Sequence, residues 1–447
     1  MRKGRLLMLG LLLLQVAVNG QGLSLKQCIE YANKNNGNIK NAHYDVDIAQ
    51  KKIDEQVGTM LPQVDASGSY TDNLKLNTTL LPGELMGKPG TMIPITMGIQ
   101  HNLMTGIALN QKIYDPSFKV ALQAAKVSQQ QSIQSLQKTN EQTAYNISRT
   151  YYQTLVIQKQ MNVLKATLDA SEKSLASLEL KFQNGMAKKV DVDKIKVSRN
   201  NTRSQLDQSE LSYKQSLNNL KYQMGMPVEN AIELVETELN QEYQPIELKK
   251  DSFNVENRVD YQLQKTALQL YEIDKKRNQA GYLPTFSFNA AYNYNAMRKE
   301  FNFLDMSQKW FNSSSIGFTL KVPIFDGFQK RARIAQSSLN IEKSRENINL
   351  TEQSIKVDIS NYEIQYSNAL DNIRNERENL DLANSVYKNT QLAYQQGTGS
   401  SLDLVQAESS LREAQNNYFN KLLSLYIARI DLEQSKGTLM TYINNLK

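Results

Sequence analysis

Along residues 285 to 295, Phe286, Phe288, Ala290, Tyr292 and Tyr294 alternate with Ser287, Asn289, Ala291, Asn293 and Asn295. Ile316, Phe318, Leu320 and Val322 alternate in the same way with Ser315, Gly317, Thr319 and Lys321. A period of two puts each set on its own face of a strand. Two half-apolar strands are therefore predicted, near 285 to 296 and 314 to 324. A weaker copy of the pattern predicts strands near 63 to 73 and 104 to 114. There Val64, Ala66, Gly68 and Tyr70 oppose Gln63, Asp65, Ser67 and Ser69, and Ile107, Leu109 and Ile113 follow.

After each strand pair the period changes. Residues 117 to 184 and 328 to 396 are runs of 68 and 69 residues without proline or glycine. Ile334, Ile341, Ile348 and Ile355 fall seven apart, Ile359, Tyr362, Tyr366, Leu370 and Ile373 follow at threes and fours, and Leu380, Tyr387 and Tyr394 resume sevens. A sustained heptad seam means side-by-side helix packing. Long helices over 116 to 183 and 327 to 395 result, each reaching roughly 100 Å at about 1.5 Å per residue. Asp115 and Pro116 suit the start of the first, and Asp326 stands where Asp115 stood. Gly185 and Gly397 end the two helices as left-handed caps. Return helices follow over about 190 to 223 and 401 to 436, the second with Ser400 or Ser401 as N-cap and Asp403 in its first turn. Helices over about 25 to 56 and 255 to 279 precede the strand pairs.

The order helix, strand, loop, strand, long helix, turn, helix thus occurs twice. Met60-Leu61-Pro62 recurs as Tyr282-Leu283-Pro284, Ile113-Tyr114-Asp115 as Ile324-Phe325-Asp326, Phe182-Gln183-Asn184-Gly185 as Tyr394-Gln395-Gln396-Gly397, and Val190-Asp191-Val192 as Leu402-Asp403-Leu404. The chain reads as a tandem duplication. The first repeat covers 21 to 225, an inter-repeat segment 226 to 254, and the second repeat 255 to 447 with a short C-terminal tail. The offset falls from 222 to 211 between the first and second of these pairs, which puts an 11-residue surplus in the first strand loop, 75 to 103. The second loop, 297 to 313, holds Phe301, Phe303, Trp310 and Phe311.

Composition narrows the class. Arg2, Lys3 and Arg5 precede an apolar run from Leu6 to Val18, the pattern of a signal peptide over residues 1 to 20, so export is expected. The net charge of +7 falls to +4 without those three cations, and the remaining charges are mixed, which argues against nucleic acid. The single cysteine, Cys28, excludes an internal disulfide and reads as a buried thiol. Its context, Leu25-Lys26-Gln27-Cys28, lacks the small residues of a lipid-modified cysteine. His43 and His101 are the only histidines, and no metal spacing, phosphate loop or nucleophile motif occurs. No catalytic residue, cofactor or metal ligand is expected.

Alternation alone usually marks a soluble sheet with one buried face. Strands of this length in an exported chain, with no further layer to cover the apolar face, instead suit an outer-membrane barrel. Phe286, Phe288, Tyr292, Tyr294, Ile316, Phe318 and Leu320 would face lipid. Four strands cannot close, and lipid tolerates no free edge, so strands must be pooled between chains. Two copies give eight strands, a barrel filled by its own side chains; three give twelve, enough for an aqueous opening, above twelve helical columns. A soluble periplasmic coiled-coil scaffold or adaptor is the alternative.

The duplicated plan, the Leu61-Pro62 and Leu283-Pro284 strand starts, Val322-Pro323-Ile324-Phe325-Asp326-Gly327, and the turn Tyr394-Gln395-Gln396-Gly397 followed by Leu402-Asp403-Leu404 resemble the TolC-like outer membrane efflux family. The resemblance covers nearly the whole mature chain. It implies a mainly α protein with transmembrane β strands: a trimeric, twelve-stranded outer-membrane β-barrel continuous with a twelve-column α-helical barrel in the periplasm. It further implies a passive exit duct of a tripartite efflux pump or type I secretion system. Its partners would be two further copies, a periplasmic adaptor, an inner-membrane transporter and outer-membrane lipid. The segment 226 to 254 would form an equatorial collar. By position, Gly185, Met186 and Ala187 with Gly397, Thr398 and Gly399 would be the tip turns that meet the adaptor. Asp191, Asp403 and Gln406 would line the periplasmic aperture, the aspartates either as a ring favouring cations or only as first-turn residues answering the helix dipole. Some relatives have an acidic residue at the position of Gln406 and a basic one at that of Gly399; this chain departs at both. Lys188, Lys189 and Asp193 are the other charges at the turn.

Overall fold

The computed structural model describes residues 22–87, 89–235, 253–305 and 307–446. The signal peptide expected over 1 to 20 and most of the collar expected over 226 to 254 lie outside them. Contacts divide the chain into two compact units: a helical one built from residues up to His43, Ser135–Gln262 and Leu350 onward, and a sheet-bearing one built from Tyr44–Gln134 and Leu263–Asn349. Neither coincides with a repeat. The long helices contribute residues to both units, so each unit draws on both halves of the duplication.

In the helical unit, α1 (Leu25–Asn35) is opened by a reciprocal capping box between Ser24 and Gln27. The single helix expected over 25 to 56 is broken. Asn36 is extended, and its side-chain oxygen accepts from the backbone N–H of Asn38 and Ile39, which starts α2 (Gly37–Gly58) afresh. The Asn36 amide also donates to the carbonyl of Gln223 at 2.6 Å, near the end of α4 (Lys189–Met224). The helix α3 (Pro116–Gln183) supplies Ile147, Tyr151, Tyr152 and Leu155 to the largest core cluster. Cys28, Leu220, Met224, Tyr426, Ile430 and Ile443 complete its centre. Tyr152 stacks on Tyr426 at 4.4 Å. The Tyr151 hydroxyl donates to the carbonyls of Leu23 and Val235, pinning two segments that are themselves joined by Leu23 N–H to Glu233 O and Val235 N–H to Leu23 O.

The helix expected over 255 to 279 is α5 (Val259–Ala280), and α6 (Gln329–Gln395) and α7 (Ser401–Lys436) follow the sheet. The tail expected after 436 is instead α8 (Leu439–Asn445), whose Leu439 and Ile443 are buried in the main core. One polar group enters this packing: Arg149 Nη1 lies 2.8 Å from Asp431 Oδ1, and both touch the Tyr145 hydroxyl. Burial first, then the hydrogen bond to the Asp431 carboxylate, push the Tyr145 phenol up to about 12.

In the other unit, β1 (Gln63–Asp72), β4 (His101–Tyr114), β5 (Thr285–Arg298) and β6 (Phe311–Lys321) form an antiparallel sheet in the order β1-β4-β5-β6. Its middle pair joins the two repeats. The register aligns Val64 with Leu109, Ala66 with Ile107, Ile107 with Tyr292, Phe288 with Phe318 and Phe286 with Leu320. One face is thus mainly apolar across all four strands, broken by Thr105, Gln111, Asn312 and Ser314, and Phe286 stacks on Phe318 at 5.6 Å. The opposite face carries Gln63, Asp65, Ser67, Asn110, Asn289, Asn293, Asn295, Ser315 and Thr319. The apolar face is uncovered: Ile107, Tyr292, Tyr294, Ile316, Phe318 and Leu320 are exposed.

Three boundaries differ from expectation. The loop of 75 to 103 holds a separate hairpin, β2 (Asn77–Pro82) and β3 (Met92–Met97), and β4 begins at His101 rather than 104. The strand expected over 314 to 324 is shifted to 311 to 321, taking Phe311 out of the second loop; Pro323, just beyond its end, has no N–H for the ladder. The helix expected from 327 starts at Gln329, because Gly327 and Phe328 both have positive φ, 65° and 64°. Pro116, the matching residue of the first repeat, begins its helix at once, with the Asp115 carboxylate accepting from Ser117 N–H at 3.0 Å.

At Gly225, φ is +72° and an added Cβ would lie 2.5 Å from the Asn35 carbonyl oxygen. Gly225→Ala should lower stability by roughly 2 kcal/mol or more, read as a drop in thermal midpoint in detergent. A second expectation concerns alkali. With a folded pKa above the ordinary 10.0, Tyr145 contributes stability that is present below pH 10 and lost as pH rises towards 12. Tyr145→Phe should remove one late-titrating tyrosine from a spectrophotometric titration and flatten the alkaline limb of stability.

Candidate functional site

The turns between α3 and α4 and between α6 and α7 belong to the helical unit and are built alike. Gly185 and Gly397 have φ of 75° and 79°, which lets the chain reverse without strain. Met186 N–H then donates to Lys181 O at 2.8 Å, and Thr398 N–H to Ala393 O at 3.0 Å. Met186 is exposed at 72%, whereas Ala187 packs against a small apolar cluster of Leu175, Leu178, Val192, Ile195 and Leu404. Tyr387 and Tyr394 border the same cluster.

Gly399 explains one departure from the family pattern. Its N–H also donates to Ala393 O, and a Cβ built on it would lie 3.0 Å from Tyr394 N and 3.2 Å from Ala393 C. The α6–α7 turn is closed so tightly on the last turn of α6 that a side chain has no room without displacing backbone.

The two aspartates behave differently. Asp403, exposed, is held by its own cap: its N–H donates to Ser400 Oγ at 3.1 Å, and Ser400 Oγ donates to the Asp403 carboxylate at 2.7 Å. Asp191, on the first turn of α4, accepts from Ser401 Oγ at the start of α7 and so ties one helix hairpin to the other. The Tyr394 phenol is pushed up by burial and further by the Asp191 charge. Gln406 is exposed one turn above Asp403. Beside these turns a groove is lined by Lys173, Ser177, Lys181, Gln391, Tyr394 and Leu404.

One turn beyond Leu404 the packing becomes polar. Glu408 and Arg412, with side chains 8% and 13% exposed, lie 3.7 Å apart. Arg412 Nη1 donates to Thr202 Oγ1 at 3.1 Å and Ser198 Oγ at 3.4 Å, and Ser171 Oγ donates to Glu408 at 3.4 Å. Residues from α3, α4 and α7 thus meet on a buried ion pair.

The family described as "Outer membrane efflux protein" matches residues 28–226 and 256–438, most of the chain and both repeats. The chain belongs to this family. Over 420 residues the efflux protein is 19% identical to the outer membrane protein TolC of Vibrio cholerae, covering 93% of this chain and 91% of that one. It is 18% identical over 427 residues to the proteases secretion protein PrtF of Dickeya chrysanthemi, covering 94% and 89%. Among solved structures it resembles the outer membrane protein VceC of Vibrio cholerae, with a TM-score of 0.69 at 15% identity over 92% of this chain and 96% of the other. At that identity the likeness shows a shared fold.

Ser401 and the Glu408–Arg412 pair were not singled out from the sequence. Ser401 is one of two adjacent serines, and only the geometry tells which is the cap and which the link. The ion pair did leave a trace: Glu408 and Arg412 are four apart and continue the buried row begun by Leu404, where apolar residues belong. Arg412→Met alone should cost the efflux protein roughly 3 kcal/mol, because Glu408 stays buried without its partner. Glu408→Leu combined with Arg412→Met should recover most of that loss in a thermal-midpoint comparison.

Proposed function

We infer that this protein is a passive exit duct of the cell outer membrane, with a large periplasmic helical part, serving efflux or type I secretion. The observation that carries the reading is the register of the sheet: four strands from two repeats align one mainly apolar face against one polar face. Among the described residues no helix is long and apolar enough to cross a membrane, so the strands are the spanning element. A soluble periplasmic scaffold would leave that apolar face against water.

The finer architecture is a proposal. β1 and β6 are the sheet's edges, and a spanning sheet cannot keep free edges, so three copies pool twelve strands. Leu350, Val357 and Ile364 support this: they form an exposed stripe at sevens on α6, apart from its buried Ile355, Ile359 and Tyr366. In such a trimer Phe286, Phe288, Tyr292, Tyr294, Ile316, Phe318 and Leu320 face lipid. The paired turns form the periplasmic mouth, where Asp191, Asp403 and Gln406 recur three times around the opening. Met186 and the groove beside Lys181 and Tyr394 are offered to a periplasmic adaptor, which couples the duct to an inner-membrane transporter.

Purified from membranes, the protein should require detergent, run at the mass of a trimer, and conduct in planar bilayers with a preference for cations. Asp191→Asn with Asp403→Asn should reduce that preference, and Ser401→Ala should raise the open probability by removing the link between hairpins. A monomer soluble without detergent, or a trimer without conductance in any of these forms, would overturn the duct reading.

A further inference from the structure

The opening turns of the four helices that bound the paired turns and follow the strands carry opposite charge. α4 and α7 begin with Asp191 and Asp403, as the positive end of a helix dipole favours. At α3 and α6 the acidic residue, Asp115 or Asp326, stands just before the helix and accepts from Ser117 N–H or Lys330 N–H, and the first turns themselves are cationic. From Pro116 to Asn140 and from Gln329 to Ile341 there is no acidic residue, while Lys119, Arg331 and Arg333 stand in the first turns, all exposed. Cations there work against the dipole, so the helices gain nothing from them on their own account. No ion pair to these three occurs among the described residues.

The residues just before those turns are apolar and uncovered. Ile324 is 94% exposed, Phe325 75% and Phe328 65%, with Phe325 and Phe328 edge to face at 5.4 Å. Ile324 continues the alternation of Ile316, Phe318 and Leu320 past the end of β6. Phe328 holds its exposed position at φ 64°, a conformation that disfavours side chains. An apolar rim bordered by unpaired cations is the pattern of a surface at the boundary between hydrocarbon and anionic headgroups.

We propose that the junction of β6 with α6, together with the start of α3, binds anionic phospholipid of the periplasm-facing leaflet. Ile324, Phe325 and Phe328 enter the acyl boundary while Lys119, Arg331 and Arg333 take the headgroup phosphates. The proposal rests on the outer-membrane reading above, and it adds a lipid class and the residues that select it. A second copy of the chain is the competing occupant of this surface.

The test uses the full-length protein, delipidated in neutral detergent and titrated with phosphatidylglycerol or phosphatidylcholine in mixed micelles while the thermal midpoint is followed. Phosphatidylglycerol should stabilise the wild type more than phosphatidylcholine does. In the triple variant Lys119→Gln, Arg331→Gln, Arg333→Gln, half-saturation by phosphatidylglycerol should need about tenfold more lipid, with the phosphatidylcholine response unchanged. Removing two exposed cations of α4, Lys196→Gln and Lys214→Gln, should change neither curve. Phe328→Gly should fold at least as well as wild type and still lose part of the phosphatidylglycerol effect. Equal responses of wild type and triple variant overturn the proposal, as does an equal shift from inorganic phosphate or a loss of trimer mass in the triple variant. Conductance of the same samples separates the two readings. A conducting protein without the lipid preference sinks only this proposal, whereas a non-conducting one sinks the duct.

Discussion

A strand in hydrocarbon can satisfy its backbone N–H and C=O groups only on another strand. The sheet and its duplication answer to that constraint. The protein carries an apolar sheet face wide enough to meet lipid, but it ends in two edges, β1 and β6, that it cannot pair with each other as an open sheet. In the proposed trimer, assembly is part of folding. The duplicated sequence fits the same logic, because the strand pair of one repeat finds its neighbour in the other through β4 and β5.

The long helices meet a different demand. Each has one buried seam and a largely polar remainder, which suits walls that are wet on at least one side. Polar residues also enter the packing where purely apolar contacts would serve, at Tyr145, Arg149 and Asp431 and again at Glu408 and Arg412. A heptad seam allows slippage by a whole repeat, and a buried pair that fits in only one alignment removes that freedom. Placing one such pair close to the paired turns fixes the hairpins where their relative height matters most.

Much of the fold was legible because two periodicities, two and roughly three and a half, alternate cleanly along the chain. Strand faces followed from Phe286, Phe288, Ile316 and Phe318 alone, and the long helices from their heptads and glycine caps. What was not legible was decided by single polar groups or by tertiary contact. Asn36 breaks the first helix because its amide bridges to Gln223, a partner far away in sequence. Gly327, the counterpart of Pro116, and Phe328 delay a helix that Pro116 starts promptly. At the turns, position alone made Asp191 and Asp403 equivalent, and their hydrogen bonds make them different. The link from Asp191 to Ser401 spans 210 residues of sequence, beyond the reach of any local pattern.

The tight turn at Gly399 also restricts what this lineage can become. In the proposed duct, whose mouth is ringed by a few side chains, tuning the opening means changing charge at those positions. At Gly399 a Cβ would stand 3.0 Å from Tyr394 N and 3.2 Å from Ala393 C, so any side chain there requires the backbone of α6 to give by a few tenths of an ångström. Changes in how this duct closes are thereby channelled towards positions such as Gln406, which is exposed.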